Sequence, residues 1–214
     1  MTARKLKGSA SGIFAFKFAD MENAMIIKNT SLLDAMNNGV KARRQKFAVI
    51  VIDEQGNQKP NNIEALTSTL AKAAHLNIPV YLVEIDAETR NKKLNPIVIQ
   101  NDANPSVKTL KDLRVKGATV VKKPHISMFN AKASLDMKSE IQKNNIDSVV
   151  IMGTKTNQCV KVNAVGGYVD RLNKEYYEGL NKLCHVHTCD AILRDVSPAT
   201  WKNEKNVFFY EKFA

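Results

Sequence analysis

The chain has 214 residues, of which 44% are hydrophobic and 25% are charged, a composition typical of ordinary globular proteins. This length is sufficient for one α/β domain with a full core and no disulfide or metal cross-links. No apolar run approaches the roughly 20 residues that a membrane-spanning helix needs. The three cysteines are too few for a disulfide framework and indicate a reducing compartment, so we expect a cytoplasmic protein that does not contact membranes.

The formal net charge is +11, a value that raises the question of nucleic-acid binding. The basic residues are scattered on candidate helix faces beside acids, and neither an aromatic RNA-binding block nor zinc-finger spacing is present. We interpret the charge as solvated surface, with nucleic-acid binding as the alternative. Arg4, Lys5, Lys7 and Lys17 precede the first acid, Asp20, as in organelle transit segments. An organelle location is therefore the alternative to a cytoplasmic one.

Residues 1–46 are predicted to form a basic, partly helical N-terminal extension. Within them, ADMENAMIIKNTSLLDAMNNG has apolar residues at loosely helical spacing from Met25 to Met36. Asn38-Gly39 resembles a helix C-cap, and the basic segment KARRQK then leads into the main domain, residues 47–214.

From Phe47 the pattern alternates between strands and helices. In chain order, we predict the strand FAVIVID, the helix NNIEALTSTLAKAAHLN, the strands IPVYLVEI and ATVVKK, and the helix NAKASLDMKSEIQKNN. The strand IDSVVIMG, a long helix from Asn157, the strand KLCHVHTCDAIL, a short helix at SPATW capped by Ser197, and the strand NVFFYEKF follow. This order predicts a three-layer, Rossmann-like α/β fold with a mainly parallel sheet covered by helices on both faces.

Three reactive side chains lie at predicted strand ends, where the sites of such sheets are found. Asp53 ends the first strand of the main domain, Lys123 ends ATVVKK, and Cys159 follows IDSVVIMG in the turn GTKTNQCVK. A helix start lowers the pKa of a thiol, a carboxylate can take its proton, and a lysine can stabilise developing negative charge. The pattern predicts nucleophilic catalysis by Cys159.

These segments resemble the isochorismatase-like cysteine hydrolases, which include nicotinamidases and carbamoylsarcosine amidases. The resemblance covers roughly residues 47–191. Three motifs, in this order along the chain, carry the resemblance. The first is an apolar strand that ends in Asp-x-Gln (Asp53, Gln55), and the second is Lys-x-x-x-Ser-x-Phe (Lys123, Ser127, Phe129). The third is Gly-x-x-Thr-x-x-Cys-Val (Gly153, Thr156, Cys159, Val160).

The resemblance implies a catalytic set of Asp53, Lys123 and Cys159. It also implies a cis peptide between Thr154 and Lys155, with the N–H groups of Lys155 and Cys159 forming an oxyanion hole. Three further residues, Gln55, His125 and Thr156, are expected to contact the substrate. A homo-oligomer acting on a small molecule without a cofactor is expected.

The chain departs from the family pattern near the site. Lys155 stands where a small residue is usual, Asn163 and Gly166 replace a common Thr and Asp, and the segment 168–182 is lengthened. No histidine lies between His75 and His125, so a nicotinamidase-type metal site is not expected. The strand CHVHTC places His185, His187 and Cys189 on one face, where we favour buried or hydrogen-bonded histidines over a zinc site, because no fourth ligand is evident.

The leading functional hypothesis is hydrolysis of a C–N bond in a small amide or carbamoyl compound through a thioester at Cys159. A non-catalytic binding protein on the same fold is the second hypothesis, motivated by the charge and the unfamiliar pocket residues. A vinyl-ether hydrolase of the isochorismatase type is the third, and the presence of Cys159 argues against it because that chemistry needs an acid rather than a thiol.

Overall fold

The computed structural model describes residues 25–56, 60, 62–86, 108–124, 126–168, 176–194 and 197–214. Over these residues, seven strands form one sheet in the order β1-β9-β8-β5-β2-β3-β4, and all neighbouring strands run parallel. These strands are β1 (Met25–Ser31), β2 (Phe47–Ile52), β3 (Val80–Ile85), β4 (Thr119–Lys123), β5 (Ser148–Gly153), β8 (His185–Cys189) and β9 (Val207–Lys212). Two further short strands, β6 (Gly167–Tyr168) and β7 (Tyr176–Tyr177), pair with each other in an antiparallel direction. The predicted parallel α/β fold is confirmed.

Helices cover both faces of this sheet and produce two apolar cores. Helices α1 (Leu32–Arg43) and α2 (Ile63–His75) pack on the face that Val49 and Val51 present. Helices α3 (Met137–Lys143) and α4 (Lys161–Val165) pack on the opposite face, which Ile50 and Ile52 present. All six residues of β2 are buried, as expected for a central parallel strand covered on both sides. None of the described helices is long and apolar enough to cross a membrane.

The described part of the predicted N-terminal extension belongs to the main sheet. Residues 25–31 form β1, which pairs in parallel with β9, so the helix predicted there is wrong. The edge of β9 offers backbone hydrogen bonds that local helical spacing does not reveal. The predicted helix is present from Leu32, where the Ser31 hydroxyl accepts from the Asp34 N–H at 3.1 Å. Residues 1–24 lie outside the described part.

Gly39 does not end α1 as predicted, and the helix continues to Arg43. A Cβ at Gly39 would collide with the Phe47 ring, so the glycine serves close packing against β2 rather than a C-cap. Arg44, with φ of 55°, takes the left-handed cap position instead.

Of three other predicted helices, two are shorter than predicted and one is absent. Helix α3 begins only at Met137, because the Asp136 carboxylate caps the N–H groups of Lys138 and Ser139. The long helix from Asn157 is a π-helical turn, Thr156–Val160, followed by α4. Helix α4 ends before Gly166, whose φ is +83°. At SPATW the chain forms turns rather than a helix.

The sheet reverses its winding direction between β2 and β5. From β2 the chain proceeds outward to β3 and β4, whereas β5 lies on the other side of β2. Ligands of open α/β sheets bind outside the carboxyl ends of the strands at such a switch point. The ends of β2 and β5 carry Asp53 and the turn leading to Cys159, so the fold places the predicted site there.

Candidate active site

Asp53 and Lys123 form a buried ion pair at the carboxyl edge of the sheet. The Lys123 ammonium donates to Asp53 Oδ2 at 2.8 Å and to the Ile126 carbonyl at 2.8 Å. The side chain of Lys123 is fully buried, and that of Asp53 is 6% exposed. Because charges this deeply buried are costly unless paired, each group needs the other as its partner, and the pair holds both in fixed positions.

Backbone geometry at the ends of β2 and β5 brings Asp53 into the site. Asp53 has φ of 51°, a left-handed conformation that Asp tolerates better than most residues. Gly153 has φ of +121°, and a Cβ there would collide with the Ile52 carbonyl oxygen. The tight passage of β5 past β2 therefore requires glycine at position 153.

Cys159 lies within the π-helical turn after β5 and is partly exposed. The peptide bond between Thr154 and Lys155, at the start of this turn, is cis. The Asp53 carboxylate, the Lys123 ammonium and the Lys155 N–H all act on the Cys159 thiol, so they lie close to it. The three residues predicted to be catalytic are thus brought together at one edge of the sheet.

The resting thiol differs from the activated thiolate expected from its place at a helix start. Burial, followed by the negative charge of Asp53, raises the pKa of Cys159 to about 12, although the Lys123 ammonium and the Lys155 N–H act to lower that pKa. Cys159 is therefore a neutral thiol at rest, near the carboxylate that can take its proton. Activation of this thiol requires proton transfer to the carboxylate when a substrate arrives.

The turn that carries Cys159 is fixed from outside by the segment 198–201. The indole N–H of Trp201 donates to the Thr156 carbonyl at 3.0 Å, and Trp201 is buried. The Asn157 side chain donates to the Pro198 carbonyl at 3.0 Å and accepts from the Thr200 N–H at 2.8 Å. The sequence does not indicate these contacts between the turn and the segment 198–201, because its pattern predicts a separate helix at SPATW.

The predicted substrate-binding residues differ in their surroundings. The Gln55 amide pairs with the backbone of Ile85, donating at 3.3 Å and accepting at 2.8 Å, and so ties the loop after β2 to β3. Thr156 is buried in the turn beneath Cys159. His125 lies outside the described residues. Substrate contact by these three residues stays a prediction.

A second buried carboxyl group, Glu54, lies directly after Asp53, and the sequence pattern did not single it out. Its side chain is fully buried, and neither carboxylate oxygen has a hydrogen-bond partner among the described residues. The nearest cation is Arg194, whose Nη1 lies 3.7 Å from Oε2. Burial, with a smaller contribution from Asp53, raises the pKa of Glu54 to about 7, against the opposing effect of Arg194.

Replacement of Glu54 by glutamine is expected to stabilise the fold at alkaline pH. Because the pKa of Glu54 is about 7 in the folded chain and 4.5 without the fold, the folded state binds the proton more tightly. Wild-type stability therefore falls as the pH rises from 4.5 to 7. Above this window Glu54→Gln should be more stable by up to about 3 kcal/mol, and below it the two chains should converge. Urea denaturation across this pH range measures the difference, and a constant difference at all pH values would contradict the prediction.

The histidine-rich strand β8 forms part of the core. His187 stacks on Phe208 with ring centroids 5.0 Å apart, and its Nδ1 lies 2.9 Å from the Tyr210 hydroxyl. Burial lowers the pKa of His187 to about 3, so this imidazole is neutral. Within the described ranges, no group of three or more His, Cys, Asp or Glu residues is arranged to hold a metal ion.

A groove of about 470 Å³ lies between residues 128–138 and 176–183. Apolar side chains such as Met128, Phe129 and Leu183 line it together with Tyr176 and Tyr177. None of Asp53, Lys123 and Cys159 contributes to its walls. The groove is thus separate from the cluster of Asp53, Lys123 and Cys159.

The protein has a parallel α/β sheet with an acid, a lysine and a cysteine gathered at its switch point. This arrangement is typical of a hydrolase. Residues 45–170 match the family model of the isochorismatase domain. The chain therefore belongs to the isochorismatase family, and we class it as an isochorismatase-family hydrolase. Among curated proteins, none matches the chain in sequence.

Solved structures support the same fold. N-carbamoylsarcosine amidase from Thermoplasma acidophilum is 17% identical with a TM-score of 0.55, over 78% of this chain and 96% of that one. A nicotinamidase from Bacillus subtilis is 16% identical with a TM-score of 0.54, over 78% of this chain and 100% of that one. An isochorismatase family protein from Desulfovibrio vulgaris is 17% identical with a TM-score of 0.52, over 72% of this chain and 84% of that one. At these identities the similarity concerns the fold.

Proposed function

We propose that this protein hydrolyses a C–N bond in a small amide or carbamoyl compound, with Cys159 as the nucleophile. The observation that carries the proposal is the gathering of three groups, in which the Cys159 thiol lies near an Asp53 carboxylate that is itself paired with Lys123 at 2.8 Å. Two of the fold relatives, the carbamoylsarcosine amidase and the nicotinamidase, are named for amide substrates, which favours the same class here.

In the first half of the reaction, the Asp53 carboxylate takes the thiol proton as the Cys159 sulfur attacks the carbonyl carbon of the substrate. The resulting oxyanion accepts hydrogen bonds from backbone N–H groups of the turn, for which Lys155 and Cys159 are the candidates. The C–N bond then breaks, and the leaving nitrogen takes the proton from Asp53. A thioester on Cys159 and a free amine or ammonia result.

In the second half, Asp53 removes a proton from water as the water oxygen attacks the thioester carbonyl. The C–S bond breaks, and the sulfur regains the proton from Asp53. Lys123 keeps its charge throughout, so that the carboxylate remains ionised between proton transfers and developing negative charge is stabilised. Because the thiol starts neutral, the carboxylate is both the base and the acid of the cycle.

The proposal is tested by release of ammonia from a panel of small primary amides and N-carbamoyl amino acids. Nicotinamide and N-carbamoylsarcosine are the first members of this panel. We expect turnover of at least one compound by the wild-type chain and loss of that turnover in Asp53→Asn, because the amide side chain cannot accept the thiol proton. Pyruvate release from isochorismate without any ammonia-releasing activity would contradict the proposal and favour the vinyl-ether alternative.

A further inference from the structure

Asn163 is a buried polar residue close to the candidate active site. It lies on α4, four residues after Cys159, and it is fully buried. A buried amide is retained without cost only when its donors and acceptor are satisfied. The described contacts of Asn163 show which groups satisfy it.

The Asn163 amide joins two separate segments of the site. Its Oδ1 accepts from the Met128 N–H at 2.7 Å, and its Nδ2 donates to the Ile126 carbonyl at 2.9 Å. The same Nδ2 donates to the Cys159 carbonyl at 2.7 Å. The loop after β4 is thereby attached to the helix that carries the nucleophile.

The Ile126 carbonyl connects this amide to the catalytic lysine. It accepts hydrogen bonds from both Asn163 Nδ2, at 2.9 Å, and Lys123 Nζ, at 2.8 Å. The Lys123 ammonium in turn donates to the Asp53 carboxylate at 2.8 Å. A chain of hydrogen bonds thus leads from the Cys159 carbonyl through Asn163, the Ile126 carbonyl and Lys123 to Asp53.

We propose that Asn163 is a positioning residue for catalysis, holding the Lys123 ammonium through the Ile126 carbonyl and the turn of the nucleophile through the Cys159 carbonyl. This inference rests on the proposed cysteine hydrolysis. The hydrogen bonds of Asn163 go to the backbone of Met128, Ile126 and Cys159 rather than to the thiol or the carboxylate, so its effect passes through the groups that it fixes. Without it, the Ile126 carbonyl is free to rotate away from the ammonium, and misplacement of reacting groups by about 1 Å can cost roughly 100-fold in rate.

The experiment uses p-nitrophenyl acetate as a general acyl donor and iodoacetamide as a thiol probe on the full chain. Leucine has a volume similar to that of asparagine but no hydrogen-bond donors. Asn163→Leu is therefore expected to lower kcat for the ester by roughly 100-fold with little change in KM. Asn163→Thr is expected to lose less activity, because a helical threonine can still donate to the carbonyl four residues earlier, which is that of Cys159. The alkylation rate of Cys159, resolved by peptide mass spectrometry, should change in the same order.

Asn181 provides a matched control at the other end of the sheet. It is also buried, and its Nδ2 donates to the Lys205 carbonyl at 3.1 Å, ahead of the amino ends of β8 and β9. Asn181→Leu should lower the unfolding temperature but leave the kcat of the folded protein and the alkylation of Cys159 unchanged. A folded Asn163→Leu with the kcat of Asn181→Leu overturns the inference. If the leucine variant does not fold, wild-type kcat and alkylation in Asn163→Thr overturn it.

The experiment distinguishes failure of the proposed cysteine hydrolysis from failure of the positioning role of Asn163. If the wild-type chain forms no acyl-enzyme at Cys159, the proposed function fails, whereas the alkylation rates still show whether Asn163 positions the thiol. If acylation occurs at Cys159 and both variants behave like the control, only the role of Asn163 is wrong.

Discussion

Replacement of Cys159 by alanine is expected to lower kcat by roughly 1,000-fold or more, because no other group can form the covalent intermediate. The fold should be retained, since Cys159 is partly exposed and alanine fits its place in the turn. Ammonia release from the best amide of the panel measures the effect. Substrate binding should persist, because the surrounding turn and the Asp53–Lys123 pair are unchanged.

The control for this substitution is Cys184→Ala. Cys184 is buried in the core, where its thiol makes only a weak contact of 3.6 Å with the Leu180 carbonyl. We expect near-normal kcat in Cys184→Ala. Retained turnover in Cys159→Ala, with the protein folded, would contradict the nucleophilic role of Cys159.

Replacement of Lys123 by methionine is expected to destabilise the fold by about 3–5 kcal/mol at neutral pH, because it leaves the Asp53 carboxylate buried without its cation. Addition of Asp53→Asn should recover most of this loss, since the buried charge is then removed. Asparagine is the suitable partner because it tolerates the left-handed backbone of position 53, where φ is 51°. Urea denaturation of the single and double variants measures the free energies of unfolding.

An exposed ion pair serves as the comparison for this effect. Lys28 and Glu211 lie 3.4 Å apart with side chains 70% and 48% exposed, and such pairs contribute about 1 kcal/mol or less. Lys28→Met should therefore change the free energy of unfolding only slightly. Equal changes in Lys28→Met and Lys123→Met would mean that the pair at the active site is not desolvated.

The candidate catalytic cluster could be predicted from sequence because it follows from a general property of parallel sheets. Asp53, Lys123 and the turn of Cys159 all follow strands that enter one sheet in the same direction, so their side chains share one edge. Two lysines, Lys122 and Lys123, end strand β4, and the spacing of the Lys-x-x-x-Ser-x-Phe motif favours Lys123. The structure brings the three residues together as this reasoning expected.

The features that the sequence did not reveal depend on non-local contacts. Residues 25–31 form a strand only because β9, near the far end of the chain, offers its edge. The burial of Glu54 and its approach to Arg194 depend on how two loops fold over the sheet. The chain of hydrogen bonds through Asn163 depends on the conformation of the loop after β4, so the sequence showed position 163 as a departure from the family pattern and no more.

The protonation state of the Cys159 thiol could not be predicted from the sequence either. The helix start at the turn predicted a lowered pKa for Cys159, but the pKa is raised to about 12, first by burial and then by the charge of Asp53. Substitution of Asp53 by asparagine should therefore lower the pKa of the thiol while preventing turnover. Reactivity toward alkylating reagents and catalytic competence are separate properties in this site.

The most direct test of the central claim is detection of the covalent intermediate on Cys159. The wild-type chain is mixed briefly with p-nitrophenyl acetate, quenched with acid, digested and measured by peptide mass spectrometry. We predict a burst of p-nitrophenolate and one acetyl group on the peptide that contains Cys159, both absent in Cys159→Ala. Acetylation confined to other residues, or an equal burst in Cys159→Ala, would contradict the assignment of Cys159 as the nucleophile.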